Sequence, residues 1–124
     1  MDFEVTFDEV MARKIVRLSK QDFDLFEKLL SKIKYGGVNV GKLLDNRNWI
    51  YEVKMKRPSF RIYYTYLKSE NVVLILDYHK KKNVSGQQKI INILKDRIQD
   101  LRGYIFYFLY SFLLLEVLYV DNLA

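Results

Sequence analysis

At 124 residues, half of them hydrophobic, the chain is long enough for one domain with a single core. It has no cysteine and one histidine, which excludes a disulfide framework, a thiolate metal site and a zinc site built on histidine alone, so no metal or other cofactor is expected. The net charge of +6 is unevenly placed: residues 1–41 hold seven Lys/Arg and seven Asp/Glu, residues 42–102 fourteen against six, and residues 103–124 only Glu116 and Asp121. The whole excess therefore lies in the middle of the chain. A concentrated positive field attracts polyanions, nucleic acid foremost, and the plain alternative is a soluble basic surface. The start, Met1-Asp2-Phe3-Glu4, is acidic and polar, unlike a secretory signal, and the lack of cysteine fits a cytoplasmic protein.

In chain order, residues 2–7 alternate weakly and are rich in Phe, Val and Thr, which predicts a short first strand. Asp8 is placed to cap a helix over residues 9–18, and Ser19-x-x-Asp22 restarts a second one. Phe23, Phe26, Leu30 and Ile33 fall on one face of that helix, and Gly36-Gly37 ends it. The two helices should form a hairpin covering one face of a sheet. Residues 38–48, rich in Gly, Asn and Asp, read as a loop. Three strand signals follow, at 49–56, 60–67 and 72–79, joined by short turns at Arg57-Pro58-Ser59 and Lys68-Ser69-Glu70-Asn71, which predicts an antiparallel meander. Ser85-x-x-Gln88 is a capping box before a last amphipathic helix with Ile90, Ile91, Leu94, Ile98 and Leu101 on its apolar side. Arg102-Gly103 stops it. The fold class is α+β: strand, helical hairpin, three-stranded meander, helix.

Side chains alternate across a strand. In the first meander strand, Trp49, Tyr51, Val53 and Met55 belong to the core face, and Ile50, Glu52, Lys54 and Lys56 to the other. In the second, Phe60, Ile62, Tyr64 and Tyr66 oppose Arg61, Tyr63 and Thr65. The third is apolar on both faces until it delivers Asp77 and His79 to one face and runs into Lys80, Lys81 and Lys82. One open face should thus gather Lys54, Lys56, Arg61, Tyr63 and His79, rimmed by the lysine run. Cations interleaved with aromatics grip phosphates and stack bases. Each residue has a bland reading beside the sharp one: Arg61 could form a sheet-face salt bridge with Glu52 or Asp77, and His79 could be a partly buried ring at a strand end.

At these residues the sequence resembles the RelE superfamily of bacterial toxins, including its HigB-like branch. The resemblance spans about residues 3–101 and rests on Phe3-Glu4-Val5-Thr6-Phe7-Asp8-Glu9, Lys42-Leu43-Leu44, Tyr51-Glu52-Val53-Lys54-Met55, Phe60-Arg61-Ile62-Tyr63-Tyr64 and Val73-Leu74-Ile75-Leu76-Asp77-Tyr78-His79-Lys80-Lys81, in that order and spacing. It implies the toxin of a type II toxin–antitoxin pair. Its partners would be a cognate antitoxin protein and mRNA, on the ribosome in many relatives. The implied activity is metal-independent endonuclease cleavage, in which a ribose 2′-OH attacks the adjacent phosphate. That reaction needs a base, cations for the charged transition state and an acid for the leaving 5′-oxygen. By position, the resemblance implies Arg61 on the phosphate, Lys54 assisting the 2′-OH, and Lys81 completing the catalytic set; His79 is the natural acid or base, because an ordinary imidazole titrates at about pH 6.5. Lys56, Tyr63, Lys80 and Lys82 would bind RNA. Two departures stand out: Glu52 where some members have a second lysine, and Gln87 and Gln88 where some place an aromatic. The competing reading is a non-catalytic RelE/ParE-fold protein, a gyrase inhibitor or an inactive toxin relic.

Residues 103–124 form a separate apolar tail after the domain at 1–102. Residues 104–120 are broken only by Ser111 and Glu116. That stretch is short for a bilayer span of about 20 residues and carries a carboxylate, which argues against a membrane anchor. Packing onto the domain, self-association and a degenerate extension of the reading frame remain as alternatives.

Overall fold

The computed structural model describes residues 3–68, 70–80 and 87–101. β1 (Glu4–Phe7) leads directly into α1 (Glu9–Val16), two residues shorter than expected at its end. The helix starts where the Asp8 carboxylate accepts the Met11 amide at 2.8 Å, and α2 (Lys20–Gly36) starts where the Ser19 hydroxyl accepts the Asp22 amide at 3.2 Å. Gly37 ends α2 with φ 55°, in the left-handed region that glycine enters without a Cβ penalty. A Cβ there would meet the Phe3 ring at 2.6 Å, so the position suits glycine on both counts.

The stretch expected as loop holds structure of its own, a 3₁₀ turn (Gly37–Val40) and a strand, β2 (Lys42–Asp45). Then come β3 (Ile50–Met55), β4 (Phe60–Leu67), β5 (Val72–His79) and α3 (Gln87–Leu101). The sheet has five strands in the order β1-β5-β4-β3-β2, with β1 parallel to β5 and the other neighbours antiparallel. The expected meander is therefore its centre. Trp49, expected in the core, instead precedes β3 with φ 54° and is 56% exposed. The turn into the strand, not strand alternation, sets its direction.

Both sheet faces carry a core. On one, Met11, Ile15, Phe26, Leu29 and Ile33 of the helical hairpin bury Val53, Ile62, Tyr64 and Ile75. On the other, Ile91, Leu94 and Ile98 of α3 pack with Ile50, Tyr63, Leu74 and Leu76. At about 1.5–3 kcal/mol for each fully buried aliphatic side chain, the three α3 residues hold that helix down by several kcal/mol, as an upper bound. Arg97 adds a polar clasp, donating to the Leu76 carbonyl of β5 and to the Asp8 carboxylate. Asp8 thereby serves both the start of α1 and the seating of α3. The second face, expected to be open, is thus covered by α3 over its Ile50–Leu74 region and lies clear of that cluster only toward the β3–β4 turn.

Candidate nucleic-acid interface

The part of the second face beyond the α3 cluster is organised by strand register. Lys54 of β3 pairs with Arg61 of β4, and Arg61 pairs with His79 of β5. These three residues form one row across three strands, spanning about 10 Å at the usual interstrand spacing. The next row toward α3 is Glu52, Tyr63 and Asp77. An irregularity between Tyr63 and Tyr64 lets β5 accommodate Leu76 and still deliver Asp77 and His79 in phase with β4. The expected convergence of Lys54, Arg61 and His79 on one face is what the register shows.

The side chains refine that picture. Lys54 is exposed. Arg61 leans along its strand, and its Nη1 donates to Glu52 Oε2 at 2.9 Å, the two side chains being 12% and 3% exposed. The cation is therefore half withdrawn from the row. Lys56 lies past the end of β3 in an exposed turn rather than on the strand.

Tyr63 corrects an expectation. It is 2% exposed and meets His79 in a T-shaped contact at 5.3 Å between centroids, so no ring face remains on which a base could stack. Burial raises its hydroxyl pKa above the ordinary tyrosine value, with the Glu52 charge adding to the effect and Arg61 opposing it.

His79 is about one-third exposed, with Nε2 3.6 Å from Asp77 Oδ2. Asp77 also accepts the Tyr78 amide at 2.8 Å and the ammonium of Lys14 from α1. Burial pushes the Asp77 carboxyl up, but His79, Lys14 and the amide outweigh it and hold the pKa down at about 2. The carboxylate is thus a fixed charge beside the imidazole. Lys80 turns toward the helical hairpin, 2.7 Å from Asp22 in the first turn of α2. Lys81, Lys82, the Gln87 side chain, the Ser85 cap and the apolar tail lie outside the described residues. Gln88 is exposed and bonded to Asn92 at 3.1 Å.

Sequence reasoning missed Lys14. It reaches Asp77 across 63 positions of chain, and its ammonium also lies 4.7 Å from the centre of the Tyr78 ring. No local pattern on α1 marks it. Among the described residues, no group of three or more His, Cys, Asp or Glu is arranged to hold a metal, and no helix is long and apolar enough to cross a membrane.

No protein-family profile matches the chain, and no curated protein matches it in sequence. Solved structures do. The free-state structure of a double arginine mutant of Escherichia coli toxin RelE superposes with a TM-score of 0.58 at 19% identity, over 75% of this chain and 99% of that one. The RelBE2 toxin–antitoxin complex of Mycobacterium tuberculosis gives 0.55 at 16%, over 65% and 100%. The intact E. coli RelBE toxin–antitoxin complex gives 0.54 at 18%, over 65% and 99%. The chain has the RelE fold, matched over nearly the full length of the chains compared.

Proposed function

We propose that this protein is the toxin of a type II toxin–antitoxin pair and that it cleaves mRNA, on the ribosome, without a metal. The observation that supports this reading is the row Lys54–Arg61–His79 on a RelE fold, which sets two cations and one imidazole on three neighbouring strands. In this reading Arg61 and Lys54 stabilise the charge that builds on phosphate, and His79 moves the proton of the 2′-OH or of the leaving 5′-oxygen. Lys81, by position, completes the set, and Lys56, Lys80 and Lys82 hold the flanking RNA. The cell compartment would be the cytoplasm, where ribosomes and antitoxin meet it.

Induced expression with mapping of mRNA ends tests this. Growth arrest with new transcript ends, lost in Lys54→Ala and His79→Ala, is the expected result. A second reading, a non-catalytic protein of the same fold, is favoured by the commitment of Arg61 to the buried Glu52. Arrest with intact transcripts and trapped gyrase–DNA complexes would establish that reading instead. Copurification of a small acidic-tailed protein encoded next to this gene tests the antitoxin partner under either.

A further inference from the structure

We infer that Lys14, far from the basic row in sequence and in the last turn of α1, is a positioning residue that sets the His79 imidazole through Asp77. The inference deepens the nuclease reading and rests on it only for its purpose, since the contacts themselves do not depend on cleavage.

Three observations carry it. Lys14 and the Tyr78 amide both bind Asp77 Oδ1, which fixes the carboxylate from two directions. The other oxygen, Oδ2, is the one that approaches His79 Nε2, at 3.6 Å. The imidazole also meets the Tyr63 ring in a T-shaped contact, with 5.3 Å between centroids. The imidazole thus contacts a buried tyrosine and a carboxylate that α1 helps to hold. In the nuclease reading, a carboxylate against Nε2 leaves Nδ1 as the nitrogen free to take or give the substrate's proton. Lys14 also lies over the Tyr78 ring, so its ammonium is anchored before it meets Asp77. Among the described residues, the titratable and charged groups near His79 are Asp77 on its own strand, Lys14 on α1, Tyr63 and the Arg61–Glu52 pair on β4 and β3, Lys54 on β3, and the Lys80–Asp22 pair toward α2. Of these, Asp77 is the one placed against Nε2, and Lys14 is the side-chain cation that fixes it.

Because His79 is the one histidine of the chain, its ring can be followed without ambiguity. The test is the nuclear Overhauser contact between the His79 and Tyr63 ring protons in the full-length protein. It should be strong in the wild type, fall at least twofold in Lys14→Met and return in Lys14→Arg. Asp77→Ala should lose it too, and Lys14→Met should then add nothing, since Lys14 acts through Asp77. An unchanged contact in Lys14→Met overturns the inference, as does an equal further loss in the Asp77→Ala background. Lys14 is 41% exposed, so its replacement leaves the core intact; should Lys14→Met not fold, Lys14→Gln reads the same contact. In RNA cleavage the Lys14→Met variant should lose about tenfold or more in kcat with KM unchanged, by analogy with the partners that orient a metal-ligating imidazole. A wild type that cleaves no RNA while the ring contact responds as described defeats the nuclease reading and leaves the positioning intact.

Discussion

Arg61 and Glu52 meet on a diagonal across β3 and β4: the register sets Arg61 against Lys54 and Glu52 against Tyr63, yet the guanidinium lies 2.9 Å from the carboxylate. The pair is nearly dry, with Glu52 3% and Arg61 12% exposed. A buried carboxylate needs its partner more than an exposed one does, because water no longer compensates for its charge. Arg61 therefore has a structural duty whatever it does to RNA.

It follows that Arg61→Ala should destabilise the protein by about 3–5 kcal/mol, by leaving an uncompensated buried charge. The double variant Arg61→Ala with Glu52→Gln should recover a large part of that loss. Urea unfolding of the two variants checks it, and equal stability of single and double variants would show that the pair is not coupled. Any functional loss in Arg61→Ala alone is therefore to be read against its loss of stability.

Lys54 is the cleaner probe of the basic row. It is exposed, so Lys54→Ala should change stability by no more than about 0.5 kcal/mol. If it contacts a phosphate, the slope of log affinity for single-stranded RNA against log salt should fall in magnitude by about 0.7. Filter binding at a series of salt concentrations measures that slope. An unchanged slope would remove Lys54 from the interface.

These consequences show how far sequence alone reached. The helical hairpin was legible because Asp8 and Ser19 cap locally and Phe26 and Ile33 repeat at helical spacing, and the meander because two short turns join three alternating strands. β2 was not legible: Leu43 and Leu44 are too few to signal a strand, and their pairing with β3 is a tertiary choice. Nor was the burial of Tyr63, which depends on α3 returning over the sheet. The signal for that return was present in Leu74 and Leu76, since a strand apolar on both faces implies that both are covered. The row of Lys54, Arg61 and His79 could be read from alternation. The hold of Glu52 on Arg61 could be read only as one alternative, because the direction in which a long side chain leans is not a property of its position.

Asp77 makes stability depend on pH. Its folded pKa of about 2 lies below the unfolded value of about 3.9, so the unfolded chain binds the extra proton on acidification. The resulting stabilisation, on the order of 2 kcal/mol, is complete above about pH 5 and is lost as pH falls through the folded value. Comparing unfolding free energies of the wild type and Asp77→Asn across that range isolates it. The gap between them should close toward pH 2, and a gap that stays constant would mean that Lys14 and His79 do not hold the carboxylate ionised.

Trp49 and Asn71 both adopt positive φ, 54° and 55°, outside glycine. Asparagine enters that region readily, whereas a bulky side chain pays about 1 kcal/mol or more for it. Trp49 is 56% exposed, so little burial offsets the cost. Replacing it by glycine and by alanine removes the same ring, but only glycine relieves the backbone. Trp49→Gly should therefore exceed Trp49→Ala in stability by about 1 kcal/mol, read as a higher melting temperature in parallel thermal scans. If alanine proves the more stable, the left-handed turn before β3 relaxes without cost, and the strain assigned to Trp49 is absent in solution.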